Sequence, residues 1–156
     1  MLVRATDAVI VLSQRLPLAP APALRALPLT AAERRICRGR READGSVPVL
    51  LQLPREGQLH PGDVLADPTG TPQVVVTARP EPLLLVSAPD PLALLQAAYH
   101  LGNRHVALEL NTSELRLLED PVLEAMLRQR GLKVDHVVAP FQPEAGAYSA
   151  AAHHHR

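Results

Sequence analysis

PLLLVSAPDPLALLQAAYHLGNRHVALELNTSELRLLEDPVLEAMLRQRGLKVDHVV, residues 82–138, runs through one pattern twice. An apolar run over 82–87 reads as a strand, Asp90-Pro91 opens a helix, Gly102 closes it, and 105–110 reads as a second strand. Then 114–118 reads as a strand, Asp120-Pro121 opens a helix, Gly131 closes it, and 132–138 reads as the last strand. The physical reasons are the same in both halves. Asp supplies a side-chain acceptor for the free N–H groups of the first turn, and Pro suits the first helical position, where its missing N–H costs nothing. Gly accepts the left-handed conformation that closes a helix. Helical spacing predicts that the first helix buries Leu92, Leu95 and Tyr99 and the second Leu123, Met126 and Leu127. Strand–helix–strand repeated in this way is the βαββαβ pattern of a ferredoxin-like domain.

Upstream, the chain reads as β. Alternating or continuous apolar runs occur at 8–12, 47–53 and 73–77, separated by the turn signals Ala43-Asp44-Gly45, Pro61-Gly62-Asp63 and Asp67-Pro68-Thr69-Gly70. Thr30 and Glu33 have capping-box spacing and start a single helical turn before Gly39. The expected fold class is α+β. An all-β domain, a small sheet or half-barrel, occupies 1–78, and the ferredoxin-like domain occupies 79–148. Residues 149–156 form a flexible, His-containing tail. Residues 139–148, APFQPEAGAY, hold the only Phe and one of the two Tyr, and are expected to lie extended against the surface.

Composition narrows the function classes. At 156 residues and 47% hydrophobic the chain is globular, and with 2% aromatics its core must be filled by Leu, Val and Ala. Sixteen prolines predict short elements with abrupt ends. Sixteen basic and 16 acidic residues cancel, so no global field draws the chain to nucleic acid or to a membrane surface. No apolar run approaches the ~18 residues of a membrane span, and the apolar stretch near the N-terminus is too short for a signal-peptide core. Cys37 is the only cysteine and cannot form an intramolecular disulfide, which makes the cytoplasm the expected compartment. No phosphate loop, nucleophile elbow, HExxH or paired CxxC occurs, so no enzyme template fits.

Histidine carries the chemistry that remains. In AYHLGNRH (98–105), His100 falls in the last turn of the first helix, where a core or capping role is the plain reading. Val106, Leu108 and Leu110 alternate along the strand expected over 105–110 as its buried face, which puts His105, Ala107 and Glu109 on the opposite face. The tail ends His153-His154-His155-Arg156. Imidazole suits Ni, Zn and Cu, and short His tracts bind such metals, although an incidental tail or a tag remnant would look the same. One His105 cannot hold a divalent ion, but a twofold interface would pair two copies, with tail histidines completing the shell. Five arginines in 34–41 read either as a solvated edge strand or as a docking face for an acidic partner. His60, in a turn, and His136, in the last strand, read as structural or exposed. Cys37 sits among cations without a motif that would make it a nucleophile.

Taken together, AYHLGNRH (98–105), DPVLEAMLRQRGL (120–132), APFQPEAGAY (139–148) and the His tail resemble the UreE family of urease accessory nickel chaperones. LTAAER (29–34), GRR (39–41), LQLPREG (51–57) and GDVL (62–65) extend the resemblance over essentially the whole chain. The resemblance implies a peptide-binding-like N-terminal β domain and a dimerising, metal-binding ferredoxin-like domain. It implies Ni(II) held by His105 of both chains, with His153 the nearest tail position to join it and His154 and His155 beside it, and a structural His100. It also implies a homodimer that catalyses nothing and works with the urease accessory GTPase and the urease apoprotein complex. Where some relatives carry an extra histidine pair, Glu119 and Pro121 stand here. Three tail histidines suit delivery better than storage.

Two other classes compete. A zinc, copper or nickel buffer unrelated to urease would use the same donors, since Zn(II) and Cu(II) suit them too. A ferredoxin-like RNA-binding module needs aromatic stacking surfaces that one Phe and two Tyr do not supply.

Overall fold

The computed structural model describes residues 8–17 and 23–146. The chain divides into two compact units, Met1–Ala78 and Arg79–Arg156. Strands predominate and three helices are present among the described residues, so the fold is α+β.

The first unit holds two sheets. In one, β1 (Ile10–Leu12) runs parallel to β5 (Val47–Gln52), which pairs antiparallel with β4 (Arg38–Ala43) at the edge. In the other, the order is β2 (Gln14–Leu16), β6 (Val64–Ala66), β7 (Pro72–Ala78), β3 (Arg25–Leu29), with β3 parallel to β7. Leu12, Leu27, Leu29, Val49, Leu51, Val74 and Val76 form their common core. Three apolar runs become strands as expected. β4 is the edge strand that the arginine run over 34–41 offered, whereas β2, β3 and β6 were not legible from apolar runs: β2 has one apolar residue in three, and β3 carries Pro28, which an edge strand tolerates.

The capping box forms. Thr30 Oγ1 accepts from the Glu33 N–H at 3.2 Å, and Glu33 Oε1 accepts from the Thr30 N–H at 3.0 Å, starting α1 (Ala31–Arg34). That turn divides the arginine run by role. Arg34 is buried and donates to the Leu29 carbonyl at 2.9 Å, Arg41 lies 3.6 Å from the Glu33 carboxylate, and Arg38 and Arg40 are exposed on the edge strand. Cys37 is buried with its thiol 3.6 Å from the Gly57 carbonyl oxygen.

The second unit is β8 (Pro80–Ser87), α2 (Pro91–Asn103), β9 (Glu109–Leu110), β10 (Glu114–Leu118), α3 (Pro121–Gln129) and β11 (Lys133–Pro140). Its sheet is antiparallel throughout, in the order β11-β8-β10-β9. Both aspartates cap as expected: Asp90 accepts from the Leu92 N–H at 3.0 Å, and Asp120 from Val122 and Leu123 at 2.9 and 3.0 Å. Leu84, Val86, Leu115, Leu117 and Val134 meet Leu94, Ala97, Leu101 and Leu127 in the core.

Four expectations fail here in whole or in part. Leu92, Leu95 and Tyr99 are not buried; they are 57%, 67% and 67% exposed, and α2 turns Leu94, Ala97 and Leu101 to the sheet instead. The helix carries two apolar stripes, and periodicity cannot say which one faces the core. Leu127 is buried as expected, whereas Leu123 and Met126 are half-buried. The strand expected over 105–110 shrinks to Glu109–Leu110, so the alternation argument for His105 falls: Val106 is half-buried and Leu110 is 48% exposed. Gly102 does not end α2, which continues to Asn103 with Arg104 as its C-cap.

After β11 the chain does not simply lie along the surface. Phe141 is fully buried. The Gln142 N–H then reaches the Glu109 carboxylate at 2.9 Å, and the Glu144 N–H the Leu108 carbonyl at 2.6 Å. Partner numbers fall as the chain advances, so this strap runs antiparallel to the segment leading back to His105. Tyr148 and the tail lie outside the described residues.

Candidate metal centre

The two helix ends of the repeat can be compared bond by bond. After α3, the Gly131 N–H donates to Arg128 at 3.0 Å and the Leu132 N–H to Leu127 at 3.2 Å, with Gly131 at φ +81°. After α2, the His105 N–H donates to Gly102 at 3.0 Å and the Val106 N–H to Leu101 at 3.1 Å, with His105 at φ +57°. Both are Schellman closures, whose left-handed residue is ordinarily glycine. His105 therefore stands where the second half of the repeat has Gly131. A side chain there costs on the order of 1 kcal/mol, and such strain gathers at functional sites. The turn leaves His105 exposed.

His100 lies in the last turn of α2 and is exposed, its ring edge-on to Tyr99 with centroids 5.4 Å apart. A core role is excluded. Among the described residues no three His, Cys, Asp or Glu converge as a metal site. His153, His154 and His155 fall outside the described residues. His60 is exposed in its turn, its N–H bonded to Asp63 at 2.7 Å.

Sequence reasoning passed over one cluster. His136 on β11 is clamped between carboxylates, Nδ1 2.6 Å from Glu119 and Nε2 2.7 Å from Glu124. Both contacts are hydrogen bonds only when both nitrogens carry protons, that is, in the imidazolium. The Glu119 hydrogen bond, with the nearby Glu124 charge, raises the His136 pKa above its usual value against the opposing effect of burial. Glu124 is held below the usual carboxylate range: partial burial pushes it up, but the Arg128 hydrogen bond and the charges of His136 and Arg128 outweigh that. Spacings of 17 and 12 residues join β11, α3 and the link that precedes α3, and no local pattern announces them.

A raised folded-state pKa means that the clamp stabilises fully below about pH 6.5 and is lost as pH rises through the folded value. The wild-type melting temperature should therefore exceed that of His136→Ala most near pH 6, and the gap should narrow toward about pH 9. A gap that stays constant over that range would remove the clamp from the account.

The family model for the UreE urease accessory protein, C-terminal domain, matches residues 81–156. A protein of Parasynechococcus marenigrum named urease accessory protein UreE is 57% identical over 148 residues, covering 95% of this chain and 99% of its own length. A protein of the same name from Synechococcus sp. (strain WH7805) is 62% identical over 128 residues, 82% of this chain and 73% of its own. Another from Nostoc punctiforme is 48% identical over 129 residues, 83% of this chain and 86% of its own.

Proposed function

This chain belongs to the UreE family of urease accessory proteins, and from that premise we propose that it is a nickel metallochaperone that binds Ni(II) through His105 of two chains and delivers it for assembly of the urease active site. The observation that carries the reading is the strained, exposed His105 in a glycine position. In this reading the protein catalyses nothing, acts in the cytoplasm, and meets the urease accessory GTPase and the urease apoprotein complex. No helix among the described residues is long and apolar enough to cross a membrane. Zn(II) or Cu(II) would fit the same donors.

The second unit (79–148) is proposed to be a ferredoxin-like metal-binding and dimerisation domain. Its strand order and its helices after β8 and β10 support this. The unit ending at 78 is proposed to be peptide-binding in character. A homodimer is supported by two features of α2: it carries Leu92, Leu95 and Tyr99 on one exposed stripe, and it ends at the His105 turn. Association through that stripe would draw two copies of His105 together, as a twofold interface requires. The direction of the strap supports a contribution from the tail. From Gly146, seven residues lead to His153, a reach of up to about 25 Å.

The test is urease activation at limiting nickel in cells lacking this protein. Wild type should restore it, and activation that proceeds equally without the protein would contradict the reading. Nickel affinity should also weaken as pH falls through about 6.5, because imidazole must be neutral to ligate. Deleting residues 153–156 should lower the number or affinity of bound ions while the dimer and one central site persist. If stoichiometry and affinity do not change, the tail has no part in the site.

A further inference from the structure

Next to the turn that carries His105, the ends of α2 and α3 converge on a recess of about 450 Å³ lined by His100, Arg104, Met126, Gln129 and Arg130. The two arginines are equivalent in the repeat: Arg104 is the C-cap of α2 and Arg130 the C-cap of α3. Both are exposed, no carboxylate lines the recess, and among the described residues neither guanidinium has a hydrogen-bond or ion-pair partner. Taken singly, each arginine is explained by its helix, since a cation at a C-terminus complements the macrodipole by about 0.3–1 kcal/mol. That does not explain two guanidiniums lining one space with no acid between them, because like charges gain nothing from proximity. An anion supplied from outside would complement both guanidiniums.

The chemistry of the recess selects among anions. Guanidinium forks match carboxylates in bidentate geometry. A small free anion such as phosphate is ordinarily held by helix N-terminal N–H groups, whereas here two C-termini present carbonyl oxygens. A carboxylate carried on a protein does not need that cradle, because contacts around it share the binding. We propose that the recess docks an acidic segment of the protein that takes the metal from His105. This rests on the nickel reading above and adds a place for the recipient. Arg104 precedes His105 directly, with Cα atoms about 3.8 Å apart, so a carboxylate held there brings its carrier against the metal ligand. The recess shares no residue with the Leu92, Leu95 and Tyr99 stripe, so covering that stripe with a second copy does not consume it.

The test uses the full-length, nickel-loaded protein and a fluorescein-labelled peptide of Glu and Ser, read by anisotropy. Wild type should bind the peptide with an affinity that falls as salt rises, and inorganic phosphate should not displace it at equal concentration. Arg104→Gln with Arg130→Gln should weaken binding about tenfold, the loss of two solvent-exposed ion pairs. Arg104→Lys with Arg130→Lys should retain part of the affinity. Nickel titration of the Gln pair should match wild type, so a failure of nickel binding in wild type itself would count against the metallochaperone reading and not against the recess. Equal peptide affinity in wild type and the Gln pair would overturn the proposal. So would displacement by phosphate, which would make the recess a small-anion site.

Discussion

His105→Ala is expected to abolish tight nickel binding while the protein stays folded. If two copies of His105 share one ion, a single substitution removes two ligands at once. The loss should then exceed the 10- to 100-fold typical of removing an outer-shell partner. The side chain is exposed, so the melting temperature of the metal-free protein should move by no more than a surface change of about 0.5 kcal/mol. The left-handed backbone adds a sharper variant. His105→Gly should lose nickel equally, yet keep or raise stability by up to about 1 kcal/mol, because glycine relieves the φ +57° strain. A residue kept for the fold would show the opposite. His100→Ala, exposed and outside the core, should leave both stability and nickel binding nearly unchanged. Retention of tight nickel binding by His105→Ala would end the assignment.

Leu95→Arg should convert the dimer to monomer at micromolar concentration. Leu95 is 67% exposed in the single chain, so the substitution has little to disturb there. In a twofold interface built on the α2 stripe it would count twice. Losing burial of two leucines, each 67% exposed beforehand, costs about 2–4 kcal/mol, roughly 30-fold or more in dissociation constant, before any penalty for burying two charges. Nickel affinity should fall with the dimer although His105 is intact. Light scattering that still shows a dimer for Leu95→Arg would place the interface elsewhere.

The outline of the second unit was legible because its punctuation is local: Asp90-Pro91 and Asp120-Pro121 cap helices, and both aspartates do so in the structure. What was illegible depended on tertiary choice. Leu92, Leu95 and Tyr99 have the same spacing as a core stripe, and only packing shows that Leu94, Ala97 and Leu101 take that place. His105 was singled out for a wrong geometric reason, since it lies in a helix-closing turn and not on a strand face. Aligning Arg104-His105-Val106 with Arg130-Gly131-Leu132 would have revealed that turn from the internal repeat. The His136 clamp had no such signal, because Glu119, Glu124 and His136 meet only through the packing of β11 against α3. In the first unit, β2 and β6 are three residues each, too short for a period to register.

The central claim is that one nickel ion is shared by His105 of two chains, and native mass measurement during a Ni(II) titration tests it most directly. The account predicts a dimer that takes up one tightly held Ni(II) per two chains before any further ion, and a His105→Ala dimer that lacks this first step. A wild-type protein that binds its first nickel as a monomer, or fills two equal sites per dimer from the start, would contradict it.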